Sequence, residues 1–245
     1  DIGGSALTPT RHLATTRVGQ DERSVLTPDL DRNLSNPTFS DDGKTIYFRL
    51  EDEGQNHLAS VDVDGENLER IIERQVSIGS FAIHGQTAVL TMGQAHQPSE
   101  VFSYRNGDLR QLTNVNESVL GNVARADVEK LQFTSADGTP VEAFFVRPLN
   151  YQSGKRYPTI LWLHGGPASQ FTYNFSDTAQ LYAANGYAVI MPNPRGSTGY
   201  GQEFAHGTVA AWGDKDFEDV MAAVDHGIEI GLVDGERLGV GGWSY

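Results

Sequence analysis

The pattern of apolar residues changes near residue 125, and this change restricts the possible folds more than any other feature of the chain. Before that point, strand-length segments alternate with tight turns, as at Asp41–Gly43 and Asn106–Gly107. Asn-Gly between two apolar segments is a strong hairpin signal. After that point, short continuous apolar segments alternate with helix-length ones. The sequence therefore predicts two regions of different architecture, residues 1–125 and 126–245.

The first region repeats itself. Phe39 and Phe81 occupy equivalent places about forty residues apart, and each interval contains about four short strands. A repeat of this kind is typical of a β-propeller blade, although two repeats also suit a β-sandwich. Blades need neighbours to cover their faces. Residues 1–125 are therefore predicted to be part of a β-propeller, about two blades after an irregular start.

The second region predicts a parallel sheet. A hairpin turning at Asp137–Gly138 precedes three buried strands, in the segments 157–163, 187–194 and 237–242. One helix lies between each pair of these strands, and strand-helix-strand order implies parallel βαβ units. We therefore expect an α/β domain over residues 126–245.

Both helices carry local signals. The first begins at Ser176 or Asp177 as N-cap and stops at Gly186. The second is amphipathic, and its predicted apolar face holds Phe217, Val220, Met221, Val224 and Ile228.

Composition excludes several functions. The formal net charge of −14 argues against nucleic-acid binding and against adhesion to an anionic membrane. There are no cysteines, which excludes thiol catalysis and cysteine zinc sites. The acidic segment 62–67 lacks the glycine and glutamate spacing of a calcium loop. No metal or other cofactor is expected. No signal peptide or membrane span is visible, and the compartment, cytoplasmic or periplasmic, stays open, as does the oligomeric state.

The last strand runs directly into Gly242-Trp243-Ser244-Tyr245. In α/β hydrolases the nucleophile lies on a sharp strand-to-helix turn within G-x-S-x-G, and four of those five positions are present here. Acyl transfer also needs N–H donors for the oxyanion. The His164–Pro167 segment, HGGP, ends an earlier buried strand and could supply one from its glycines, although it could also simply turn the chain.

Five segments together resemble the prolyl oligopeptidase family of serine peptidases, most closely its acylaminoacyl-peptidase and dipeptidyl-peptidase-like branch. They are NPTFSDDGKTIYF from residue 36, HGGP from 164, NPRGSTGYG from 193, WGDKDFEDVMAAVD from 212 and DGERLGVGGWSY from 234. The resemblance implies part of a β-propeller followed by the N-terminal half of an α/β-hydrolase domain. It also implies small peptides as substrates.

Carried over residue by residue, the resemblance implies that Ser244 is the acylated nucleophile. Tyr245 and Gly166 would give the oxyanion-hole N–H groups. Some relatives place a tyrosine hydroxyl where this chain has His164, so backbone donors are expected here. Arg195 and Tyr200 would frame the active site and contact substrate, or only hold the loop. Trp212, Asp214 and Asp219 are interpreted as structural.

The fold's order of Ser, Asp and His places both partners of Ser244 after it. All seven histidines precede Ser244, so we expect the triad Asp and His to lie beyond residue 245 in a longer protein, and this piece alone to be inactive. An esterase on the same fold is one alternative. A propeller-based binding protein with a degenerate hydrolase half is another.

Overall fold

A computed structural model of the chain describes residues 10–244. They form two compact units. The first contains residues 10–118, together with the short segments 172–174 and 198–202, and the remaining described residues form the second. The sequence places the boundary between its two predicted domains at residue 125, and that assignment stays a prediction.

The first unit is built from short strands. They are β1 (Ala14–Thr16), β2 (Arg23–Val25), β3 (Leu34–Phe39), β4 (Thr45–Asp52), β5 (Gln55–Asp62), β6 (Glu69–Ile72), β7 (Ser77–His84), β8 (Thr87–Gln94), β9 (Gln97–Arg105) and β10 (Asp108–Gln111), followed by the helical turn α1 (Glu117–Leu120). Strands β3 to β6 form one antiparallel meander, and β7 to β10 form another. One parallel pair, Asn56 with Ser77, connects them.

The backbone confirms the hairpin turn predicted at Asn106–Gly107. Strands β9 and β10 pair through Arg105 and Asp108, which leaves a two-residue loop of Asn106 and Gly107. Both loop residues have positive φ, 50° and 86°, as the tight hairpin turn requires. Two apolar clusters are buried in the described residues: one lies around Phe48, and the other contains Leu58 of the first meander and Ile78 of the second. Two four-stranded meanders suit propeller blades, and the propeller itself stays a prediction.

A buried carboxylate fixes the segment that follows β10. Glu100 is 2% exposed, and it accepts hydrogen bonds from the Thr113 hydroxyl and from the backbone N–H groups of Val115 and Asn116. These bonds, first of all the one from Thr113, lower the pKa of Glu100 from 4.5 to about 2. The charged form is therefore the form that stabilises the fold.

We expect Glu100→Gln to lower the melting temperature of the full-length protein at neutral pH, because an amide NH₂ cannot accept these N–H bonds. The depressed pKa means that the contribution of Glu100 is fully present above pH 4.5 and is lost as the pH falls toward 2. The two melting temperatures should therefore converge over that interval. Glu117→Gln, at an exposed glutamate in the same segment, is the control. A difference in melting temperature between wild type and Glu100→Gln that does not change with pH would contradict this account.

The second unit is a mixed sheet with helices. Its elements are β11 (Val128–Thr134), β12 (Pro140–Val146), β13 (Tyr157–Leu163), α2 (Asp177–Ala184), β14 (Ala188–Asn193), α3 (Gln202–His206), α4 (Lys215–Glu229) and β15 (Val233–Gly242). The strand order is β11-β12-β14-β13-β15. Strands β14, β13 and β15 are parallel as predicted, and β11 and β12 form the predicted antiparallel hairpin. Within residues 10–244, no helix is long and apolar enough to cross a membrane.

Helix α2 follows its sequence signals, whereas the face predicted for α4 is partly wrong. Ser176 caps α2 by accepting a hydrogen bond from the Ala179 N–H. In α4, Phe217 and Met221 are 60% and 37% exposed. The buried face of α4 is rotated toward small residues. Gly227 allows the helix to lie close to β15, since a methyl carbon built on it would lie 2.5 Å from Val233 Cγ2. The close approach of the helix to the sheet therefore leaves the larger side chains outside.

Among the described residues, the last strand is less buried than the sequence predicts. Val233, at the start of β15, is fully buried, but Leu238 and Val240 are 47% and 72% exposed. Within residues 10–244, β15 pairs with β13 alone and is therefore an edge strand. A continuous apolar segment does not show which neighbours cover it, and this explains the difference.

Candidate active site

Ser244 lies just beyond the end of β15 in an unusual backbone conformation. The strand ends at Gly242, and Ser244 has a φ of 72°. Positive φ is uncommon for a residue with a side chain and marks a strained turn. A strained turn directly after a parallel strand is how α/β hydrolases expose a nucleophilic hydroxyl. Tyr245, predicted to give an oxyanion N–H, lies outside the described residues.

The glycine before this turn is required by close packing between strands. Gly242 pairs with Leu163 on the parallel strand β13. A methyl carbon built on Gly242 would lie 2.8 Å from the Leu163 carbonyl oxygen, closer than side-chain carbons approach backbone atoms. A methyl carbon built on Gly241 would lie 2.6 Å from the Trp162 ring. The sequence Gly-Gly before Trp243-Ser244 therefore lets β15 lie tightly against β13 up to the turn.

The same pairing brings the HGGP segment to the serine. Parallel strands end at the same edge of a sheet, and β13 leads directly into His164 and Gly165. A methyl carbon built on Gly165 would lie 2.9 Å from the Trp243 carbonyl oxygen, 3.1 Å from Ser244 Cβ and 3.7 Å from Ser244 Oγ. The Gly165 backbone therefore lies directly against the serine side chain, at an approach that only glycine permits.

Gly166, the predicted second oxyanion donor, is the next residue. Its φ is 145°, and a methyl carbon built there would lie 2.8 Å from the Ala168 nitrogen. It precedes Pro167 through a cis peptide bond. Its backbone belongs to the segment that borders Ser244, and its role as a donor stays a prediction.

His164 connects two loops, and sequence reasoning missed this connection. Its Nδ1 lies 2.8 Å from the Gly165 carbonyl oxygen, and its Nε2 lies 3.1 Å from Ser197 Oγ. The Phe171 ring packs edge-on against the imidazole, at a centroid distance of 5.2 Å. Burial lowers the pKa of His164 below its usual value. The partners are 33 residues apart, so only the parallel arrangement of β13 and β14 could have indicated the contact.

Arg195 is predicted to contact substrate or to hold the loop, and its contacts favour the second role. The side chain is buried, and all three guanidinium nitrogens donate hydrogen bonds. Asp219 accepts bonds from Nε at 2.9 Å and Nη2 at 2.6 Å, and from the Arg195 backbone N–H at 2.8 Å. Asp137 accepts a bond from Nη1 at 2.5 Å. These bonds, first of all those to Asp219, raise the pKa of Arg195 above its usual value.

Tyr200 lies in the segment 198–202, which is part of the first compact unit, whereas Ser244 belongs to the second. Its side chain is half-buried. Its contribution to the active site stays a prediction.

An apolar cavity of about 190 Å³ lies where β13 and β14 end, beside the start of α4. Its lining includes Leu163, His164, Pro192, Pro194, Phe217 and Val220. Within residues 10–244, no group of three or more His, Asp or Glu side chains is arranged to hold a metal ion.

Comparisons with known proteins agree with the motifs. Residues 173–245 match the model of the prolyl oligopeptidase family. An uncharacterized peptidase of Bacillus subtilis (strain 168), YuxL, is 33% identical over 85% of this chain and 32% of its own length. Dipeptidyl-peptidase 5 of Porphyromonas gingivalis is 27% identical over 96% of this chain and 35% of its own length.

A solved structure gives the same result for the fold. The acylaminoacyl peptidase of Pyrococcus horikoshii matches with a TM-score of 0.82 and 27% identity, over 92% of this chain and 35% of that protein. The chain spans about a third of the length of the relatives it matches.

Proposed function

Because the chain belongs to the prolyl oligopeptidase family, we propose that the full-length protein is a serine peptidase that forms an acyl-enzyme on Ser244. The observation that supports this proposal most is the position of Ser244. It combines a positive φ directly after a parallel strand with the Gly165 backbone against its side chain. A hydroxyl placed in this way is accessible to a substrate carbonyl and lies beside candidate oxyanion donors.

The proposed reaction follows from these positions. Ser244 Oγ attacks the substrate carbonyl carbon as its proton passes to a histidine, and the backbone N–H groups of Gly166 and Tyr245 stabilise the oxyanion. The tetrahedral intermediate expels the amine, which takes the proton from the histidine, and water then releases the acyl group. That histidine and its aspartate follow Ser244 in the order of the fold, so residues 1–245 alone are proposed to be inactive.

The proposed substrates are short peptides. The similar proteins of Porphyromonas gingivalis and Pyrococcus horikoshii are named dipeptidyl-peptidase 5 and acylaminoacyl peptidase, and we propose a related specificity here. The meanders β3–β6 and β7–β10 are proposed to be blades of a propeller that restricts access to small substrates. A propeller before the catalytic domain favours a peptidase over an esterase on the same fold.

Chromogenic substrates separate the candidate functions in the full-length protein. A peptidase should cleave dipeptidyl or acylaminoacyl anilides with a higher kcat/KM than simple esters of similar reactivity. The reverse preference would identify an esterase. Hydrolysis of neither class would contradict both enzyme proposals and favour the binding protein.

We expect Gly165→Ala to lower kcat/KM by about 10²-fold, the effect of displacing a reacting group by about 1 Å. The added methyl group would lie 2.9 Å from the Trp243 carbonyl oxygen and 3.1 Å from Ser244 Cβ, so the turn must move. Gly235→Ala is the control, because its nearest neighbour is the flexible end of Ile228. Equal activity of both variants would contradict the close approach.

A further inference from the structure

The hydrogen bonds of His164 determine its tautomer. The Gly165 carbonyl oxygen can only accept a hydrogen bond, so the 2.8 Å contact requires the proton on His164 Nδ1. The pKa lowered by burial keeps the ring neutral near pH 7, and Nε2 is then an acceptor.

His164 makes two polar contacts, and the one between Nε2 and Ser197 is weaker than the one between Nδ1 and Gly165. Ser197 Oγ lies 3.1 Å from His164 Nε2 and also 2.6 Å from the Pro194 carbonyl oxygen. The single hydroxyl proton cannot serve both acceptors fully. Within residues 10–244, no second acceptor competes for the proton on His164 Nδ1. Ser197 therefore restrains only the imidazole ring of His164, whereas the bond from Nδ1–H restrains the Gly165 carbonyl group.

The carbonyl of Gly165 and the N–H of Gly166 belong to one planar peptide. This peptide is trans, so the two groups point in opposite directions. A hydrogen bond that holds the carbonyl toward the imidazole therefore also sets the direction of the Gly166 N–H, away from the imidazole. A glycine on each side leaves this peptide free to rotate in the absence of such a restraint.

We propose that His164 is a positioning residue for the oxyanion hole: it fixes the Gly165–Gly166 peptide through its Nδ1–H, so that the Gly166 N–H faces the tetrahedral intermediate. This inference rests on the proposed function, because it assigns the restraint that holds one of the two proposed donors beside Ser244. The Phe171 ring packed against the imidazole, and Ser197 at its far nitrogen, hold the ring in place.

Two amide substitutions test this in the full-length enzyme. His164→Asn places an N–H donor near the position of Nδ1, whereas His164→Gln places its amide near Nε2 and loses the bond to Gly165. We expect the Gln variant to lose about 10²-fold in kcat with little change in KM, the cost of one misplaced oxyanion donor. The Asn variant should retain most of the wild-type kcat, and Ser197→Ala should lose less than the Gln variant.

A peptide aldehyde supplies a readout that a merely structural role would not change. Ser244 adds to the aldehyde carbonyl and forms a tetrahedral adduct that needs the same donors. Its affinity should fall in the Gln variant by about the same factor as kcat. Binding of the corresponding peptide acid, which forms no adduct, should be unchanged. His84→Asn, at an exposed histidine at the end of β7, is the control.

Each outcome decides the proposal. Asn and Gln variants of equal kcat would overturn it, and so would a Gln variant that loses aldehyde and acid affinity to the same extent. If the Gln variant does not fold, an Asn variant with a kcat reduced about 10²-fold would also overturn it. A wild-type protein without turnover or aldehyde binding would overturn the proposed function itself, which distinguishes the two failures.

Discussion

Replacing Ser244 by alanine is expected to lower the kcat of the full-length protein by about 10⁶-fold, the cost of removing the nucleophile of a serine peptidase. The loss is this large because the remaining groups have no hydroxyl to activate and act only through binding and oxyanion stabilisation. Alanine removes only a hydroxyl group, so the melting temperature of the full-length protein should not fall by more than a few degrees. The measurement is anilide hydrolysis together with thermal unfolding.

Ser153→Ala, at an exposed serine of the same compact unit, is the matched control and should leave kcat unchanged. A Ser244→Ala variant whose kcat remained within about 10²-fold of the wild type would show that another group performs the chemistry, because loss of the nucleophile costs far more than this.

Replacing Asp219 by alanine is expected to have the largest effect on stability, about 3–5 kcal/mol. Asp219 is fully buried and accepts bonds from both the backbone and the guanidinium of Arg195. Its removal leaves the buried Arg195 guanidinium with only two charged partners among the described residues, Asp137 and Glu218, and both of their side chains are about a third exposed. For a unit of this size, the melting temperature of the corresponding transition should fall by roughly 10 °C.

The control for this change is Glu218→Ala. Glu218 lies 3.7 Å from Arg195, but its side chain is 33% exposed, and such ion pairs contribute little. Scanning calorimetry of the full-length protein resolves the transitions of separate domains. Equal shifts for Asp219→Ala and Glu218→Ala would contradict the buried network as a main source of stability.

The features that local chemistry determines could be predicted from the sequence. Asn106–Gly107 has the backbone preference of a tight hairpin turn, and Ser176 and Asp177 both have the side chain of a helix cap, so the turn and the start of α2 could be predicted. The turn at Ser244 could be located because four of the five positions of G-x-S-x-G directly follow an apolar strand. Each of these signals lies within a few residues of the structure it produces.

The features that depend on distant partners could not be predicted in this way. The apolar positions of α4 suggested a face containing Phe217 and Met221, because spacing alone does not show that Gly227 sets the distance to Val233. The contact of His164 with Ser197 joins two loops that follow different strands, and its existence depends on the order of the strands in the sheet. The contacts of Arg195 likewise depend on Asp219, which is 24 residues away in the sequence.

Labelling with a fluorophosphonate tests the central claim most directly, since an activated serine displaces fluoride from this probe and becomes phosphonylated. The full-length protein would be treated with the probe, digested and analysed by peptide mass spectrometry. We predict a single modification on the peptide that contains Ser244, and none in the Ser244→Ala variant. Stoichiometric modification of another serine, or none in a folded wild-type protein, would contradict the assignment of Ser244 as the nucleophile.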